Sequence, residues 1–145
     1  VKIYRDYYET KGQLEAHLYD GIKEILQQLS QDPSKKIFIK TSKNEPIALE
    51  MCKHLGITEY FDGIYGSTPT AFHKADVLLR AITENQAPKD QSVIVGDTKF
   101  DLIGGKTVGI KTIAVTWGFG KNETLLAENP DFIADTTQEL CDILK

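Results

Sequence analysis

An α/β fold, a doubly wound parallel sheet with helices on both faces, is the architecture this sequence predicts. Short β-branched apolar runs recur along the chain, and segments of helical period separate them, the pattern of strand–helix–strand units. One run, Val93-Ile94-Val95, ends in Gly96-Asp97, which turns the chain sharply and delivers a carboxylate where open sheets bind ligands.

The elements follow in order. Val1 to Thr10 places Ile3, Tyr4, Tyr7 and Tyr8 on one helical face and predicts a helix, which Lys11-Gly12 breaks. Ile22, Ile25, Leu26 and Leu29 stand at helical spacing, with Asp32-Pro33-Ser34 as the turn after them. Lys36 to Lys40 is an expected strand, followed by a helix over Glu45 to Leu55 that Gly56 ends. Phe61 to Tyr65 is the next strand and Lys74 to Glu84 the next helix. Ser92 to Val95 is uncharged and β-branched, as a strand buried on both faces should be. The following helix is weakened by Gly104-Gly105, each costing ~1 kcal/mol relative to Ala. Thr112 to Trp117 and Phe132 to Ala134 complete the strands, and no internal repeat or low-complexity segment interrupts them.

At 145 residues the chain is long enough to bury a core of its own, and 41% hydrophobic with 26% charged residues is a globular composition. A net charge of −4 and a pI near 5.4 give no basic surface for nucleic acid or an anionic membrane. No apolar run approaches the ~18 residues of a membrane span, and the N-terminus carries no signal-peptide pattern. Cys52 and Cys141 lie in helical contexts without Cys or His at ligand spacing, so buried, reduced thiols in a cytoplasmic protein are expected.

Parallel strands would bring Thr41-Ser42-Lys43, Gly66-Ser67, Gly96-Asp97 and Trp117-Gly118 to one edge. Asp97 and Asp101, one helical turn apart, are hard oxygen donors suited to Mg²⁺; equally, Asp97 could cap the helix with Asp101 in solvent. Thr41 and Ser42 leave a strand just before a helix, the geometry of an anion site, or of an ordinary N-cap by Ser42 or Asn44. Lys74 opens a helix, where a cation opposes the dipole, so it reads as a phosphate or carboxylate partner or as a solvated lysine. His73 reads as a surface residue, and His17 and His54 as structural. Ser67 lacks the Gly-x-Ser-x-Gly setting of a nucleophile, and Gly118-Phe119-Gly120 lacks the third glycine of a dinucleotide loop.

Taken in order, these motifs resemble the haloacid dehalogenase-like hydrolase superfamily, in its phosphoglycolate-phosphatase-like branch. Ile37-Phe38-Ile39-Lys40-Thr41-Ser42-Lys43 is similar to the second motif, Phe72-His73-Lys74-Ala75-Asp76 to the third, and Gly96-Asp97-Thr98-Lys99-Phe100-Asp101 to the fourth. Thr116-Trp117-Gly118-Phe119-Gly120 and Pro130 to Asp135 resemble the tail of that branch, while Ala75 departs from the Pro common after the lysine. The resemblance implies a Rossmann-like core in which Thr41, Ser42 and Lys74 bind the phosphoryl group and Asp97 and Asp101 hold Mg²⁺. It also implies a small phosphorylated metabolite as substrate.

The family's first motif, Asp-x-Asp-Gly-Thr, supplies the nucleophile and the general acid/base. No Asp-x-Asp occurs in this chain, and Asp20-Gly21 precedes a helix rather than following a buried strand. The resemblance therefore implies a sheet lacking its central first strand, to be completed by an N-terminal segment or by another copy. Residues 1–16 are expected as the last helix of an α-helical cap with its linker, and residues 17–145 as the core. The only methionine is Met51 and the chain opens on Val1, consistent with the C-terminal two-thirds of a larger protein. Two functions follow: a Mg²⁺-dependent phosphatase working through an aspartyl-phosphate in the intact parent, with this chain inactive alone, or a non-catalytic interaction or regulatory module. A phosphoacceptor receiver has its acids first, the reverse of the order Thr41, Lys74, Asp97.

Overall fold

The computed structural model describes residues 2–6, 21–70, 74–118 and 121–144. The strands among them are β1 (Lys2–Asp6), β2 (Lys36–Asn44), β3 (Gly63–Ser67), β4 (Ser92–Gly96), β5 (Lys111–Val115) and β6 (Phe132–Ala134). They form one parallel sheet in the order β3-β2-β1-β4-β5-β6. The helices are α1 (Ile22–Ser30), α2 (Glu45–Leu55), α3 (Lys74–Glu84), α4 (Lys99–Val108), α5 (Asn122–Ala127) and α6 (Thr137–Leu144). This is the expected doubly wound α/β architecture.

Alternation along the strands sorts the helices into two layers. Ile37 and Ile39 of β2, Val95 of β4 and Ile113 and Val115 of β5 bury one face of the sheet against α1, α2 and α6. Phe38 and Ile94 turn the other way, toward Leu78, Ala81 and Ile82 of α3 and Val108 of α4. Ala114 extends that second face to Leu102 of α4 and Leu125 of α5. Two aspartates tie the strand entrances together: the Ile37 and Thr112 backbone N–H groups donate to Asp62 Oδ2 and Asp131 Oδ2, each at 2.8 Å. The Asp62 tie is why β3 begins at Gly63 rather than at Phe61, which packs against the core instead.

The N-terminal expectation is corrected. Lys2–Asp6 run as a strand, not as the start of a helix over Val1–Thr10, and they fill the central position expected to be vacant. The register pairs Ile3 with Ile37 and Val93, and Arg5 with Ile39 and Val95. Without a strand there, β2 and β4 would face each other with unpaired N–H and C=O groups in the middle of the sheet. That demand outweighs the weak helical periodicity of ten residues, and Ile3-Tyr4 suit extended backbone. The remainder of the expected cap helix and linker, from Tyr7 to Ala16, lies outside the described residues.

Both cysteines are buried and free, and burial pushes the Cys52 thiol up to about 11, so it is protonated and unreactive at neutral pH. No described helix is long and apolar enough to cross a membrane.

Candidate active site

All strands being parallel, their carboxyl ends share one edge, and the strand order reverses between β1 and β4. That switch point is where open α/β sheets bind ligands, because loops leaving to opposite faces open a crevice there. β2 brings Thr41, 3% exposed, to the edge beside it, and Ser42 follows in the same strand. β2 then runs on to Asn44, past the expected end at Lys40, and passes directly into α2. Asn44 occupies the N-cap position of α2 but makes no side-chain capping hydrogen bond there.

On the other side of the switch point, β4 ends at Gly96 and Asp97 stands in the turn, 8% exposed. Asp97 is not the helix cap. Thr98 is, in a reciprocal arrangement with Asp101: the Thr98 backbone N–H and hydroxyl donate to Asp101 Oδ2 at 3.2 and 2.9 Å, and the Thr98 side chain accepts from the N3 backbone. The Thr-x-x-Asp spacing of Thr98 and Asp101 is the sequence signal for that box. Asp101 is 0% exposed, and its Oδ1 accepts from Lys40 Nζ at 3.4 Å. The solvated reading of Asp101 is thereby corrected: its carboxylate lies in the interior.

Glycines fit closely around both acids. A Cβ on Gly96 would overlap the Asp101 side chain, and one on Gly118 would overlap that of Asp97. Gly118 follows Trp117, whose indole N–H is buried without a hydrogen-bond partner among the described residues. The backbone at position 118 thus packs directly against the Asp97 side chain.

Lys74 is the first residue of α3. That helix start lies against α4, since a Cβ on Gly104 would come 3.9 Å from the Ala75 backbone nitrogen. His73 and the Phe119-Gly120 pair lie outside the described residues. A second cluster fixes α3 relative to β2 and β3. Arg80 pairs with Glu45 at the start of α2 and with Glu84, and lies 4.8 Å from the centroid of the Tyr65 ring. Glu45 Oε1 also accepts from the Gly66 backbone N–H at 3.2 Å. Burial raises the Tyr65 phenol above its ordinary value, so its hydroxyl stays a donor.

The carboxyl ends of β2 and β4 thus carry Thr41, Ser42 and Asp97, and Lys74 opens α3 after β3. Lys40 and Thr98 were not among the expected residues. The donor set suits a hard cation: Mg²⁺ is held by one or two carboxylates, with waters and phosphate oxygens completing the octahedron. No group of three or more His, Cys, Asp or Glu side chains gathers among the described residues, so a protein cage of the Ca²⁺ or Zn²⁺ kind is not built from them.

Comparison with known proteins matches residues 1–115 to a family model described as haloacid dehalogenase-like hydrolase. The phosphoglycolate phosphatase of Vibrio parahaemolyticus is 30% identical over 145 residues, covering 99% of this chain and 63% of that protein. A 5'-nucleotidase of Pseudomonas aeruginosa is 30% identical over 132 residues, 90% of this chain and 59% of that one. Among solved structures, a haloacid dehalogenase-like hydrolase from Streptococcus pneumoniae superposes with a TM-score of 0.88 at 43% identity, over 93% of this chain and 63% of that one. The chain thus spans less than two-thirds of the length of these relatives.

Proposed function

The chain belongs to the haloacid dehalogenase-like hydrolase family, and from that premise we propose that it is the larger part of a Mg²⁺-dependent phosphatase acting on a small phosphate monoester. The observation that supports this reading is the placement of Thr41 in β2 and of Asp97 after β4, the strands on either side of central β1, with Lys74 opening α3. Phosphoglycolate-like acids and nucleoside monophosphates are the substrate classes, in keeping with the names of two relatives.

In this reading the Thr41 and Ser42 hydroxyls donate to phosphoryl oxygens, and Lys74 adds a positive charge beside the N-terminal amides of α3. Asp97 holds Mg²⁺, which when bound neutralises charge on the phosphate. Catalysis is then largely electrostatic. The nucleophile is an aspartate of the longer protein outside these 145 residues. Its carboxylate oxygen forms a bond to phosphorus as the ester oxygen leaves, and water hydrolyses the aspartyl-phosphate. The protein would act in the cytoplasm.

The test is Asp97→Asn in the full-length protein, which keeps the size of the side chain and removes its charge. Mg²⁺-dependent hydrolysis of an aryl phosphate is expected to fall by about 10²-fold or more; unchanged turnover would refute the assignment. A non-catalytic interaction module is favoured by one observation, that no Asp-x-Asp occurs in the chain while its sheet is continuous. On that alternative the full-length protein hydrolyses no phosphate ester even before mutation.

A further inference from the structure

The strand that carries Thr41 does not run beside β3 in a single register. Phe38, Ile39 and Lys40 of β2 pair with Gly63, Ile64 and Tyr65, and the ladder resumes at Asn44 with Ser67. Between those two registers β2 sets Thr41, Ser42 and Lys43 against the single residue Gly66 of β3. Extra residues on one strand bend it and re-aim its side chains, a device common beside active sites. The segment expected to bind phosphate is therefore a bulge, and Glu45, the first residue of α2, stands at its far end. An acid at that position suits the helix dipole, but its carboxylate is engaged across the sheet. Glu45 Oε1 accepts from the backbone N–H of Gly66, the residue opposite the bulge, at 3.2 Å, and it pairs with Arg80 of α3.

Arg80 is held in turn by Glu84 and by the Tyr65 ring, whose centroid lies 4.8 Å away. Tyr65 is the β3 residue paired with Lys40, at the near end of the bulge. One carboxylate and one guanidinium thus tie both ends of the bulge to β3 and to the helix that Lys74 opens. The Glu45 and Arg80 side chains are 28% and 24% exposed, and an ion pair so open to water adds little stability. Its consequence is geometric. Resting on the reading of Thr41 and Ser42 as phosphoryl ligands, we propose that Glu45 is a positioning residue for phosphate binding and that Arg80 holds it in place. The clamp sets how far the bulge stands from β3, and hence where Thr41 is presented to the phosphoryl group. Asp97 follows β4, on the other side of β1, so the clamp governs the anion and not the metal.

The experiment measures two affinities in the full-length protein. Inorganic phosphate is titrated calorimetrically with Mg²⁺ present, and Mn²⁺ alone is followed by the loss of free-ion electron paramagnetic resonance signal. Glu45→Ala is expected to weaken phosphate by about tenfold, the worth of one well-aligned hydrogen bond. Its Mn²⁺ affinity is expected to stay within about twofold of wild type, as for independent sites. Glu45→Gln keeps an oxygen for Gly66 and Arg80 and is expected to recover most of the lost phosphate affinity. A Glu45→Gln variant as weak as Glu45→Ala would overturn the proposal, and so would equal losses of both ligands, the mark of a generally loosened fold. Should Glu45→Ala not fold, Arg80→Met decides: weaker phosphate with Mn²⁺ retained supports the proposal, and any other result overturns it. Wild-type protein that binds no phosphate sinks the anion-site reading, and this proposal with it. Wild-type phosphate binding that Glu45→Ala retains in full sinks the proposal alone.

Discussion

Gly118 and Asp97 are packed so closely that the glycine defines what the carboxylate can do. A Cβ at position 118 would overlap Asp97, so either the loop or the acid has to move. Gly118→Ala is therefore expected to lower Mn²⁺ affinity by about tenfold, as other changes behind a ligand do, with the melting temperature little changed because the loop is peripheral. Native affinity in a folded variant would mean that Asp97 does not depend on that contact. At this scale the residues of the proposed site were legible where local spacing carries meaning. Thr41 and Lys74 stand at a strand exit and a helix start, and Asp97 follows Gly96. Lys40 was not legible, because its partner is distant in sequence and a lysine at the end of Ile37-Phe38-Ile39 reads as a strand leaving the core. Only the packed sheet turns it inward.

The helix α4 tests how packing overrides propensity. Gly104-Gly105 read as a weakness in the sequence, and the structure gives the two glycines different reasons. A Cβ on Gly105 would lie 2.6 Å from Ile94 Cγ2 and 2.8 Å from Thr112 Cγ2, so this position sets how closely α4 approaches β4 and β5. At Gly104 the nearest atom would be 3.9 Å away. Alanine gains about 1 kcal/mol of helix propensity at either site, but overpacking costs ~1–3 kcal/mol where the space is filled. Gly104→Ala is thus expected to stabilise the fold and Gly105→Ala to destabilise it, by up to ~1 and ~2 kcal/mol in denaturant titrations. The same sign at both positions would contradict the packing. Strands and long helices were legible in the sequence because period and breakers agree over Glu45–Leu55 and Lys74–Glu84. The short helices α5 and α6 were not: Asn122–Ala127 spans six residues and buries only Leu125, too little pattern to read.

For the whole molecule, the decisive element is the least typical one. Central strands of parallel sheets are normally apolar runs, yet Lys2–Asp6 carry Lys2, Arg5 and Asp6 among five residues. Sequence pattern could not identify such a strand, because the demand for it comes from its neighbours. β2 and β4 present Ile37-Phe38-Ile39 and Ile94-Val95 on either side, and parallel backbone ladders join β1 to both. Backbone pairing, not the character of the five residues, is what the position requires. If so, removing the segment leaves two strand edges without a partner in the middle of the sheet, and such edges recruit other chains. A variant of this chain beginning at Tyr7 is expected to self-associate in light scattering after size exclusion, and to melt earlier than the chain that includes Lys2–Asp6. A monodisperse monomer with an unchanged melting temperature would mean that the sheet does not rely on β1. In the other outcome, what holds the halves of the sheet together also sets the separation of Thr41 from Asp97, since one strand's width lies between β2 and β4. The site at the switch point then depends on whichever strand occupies that place.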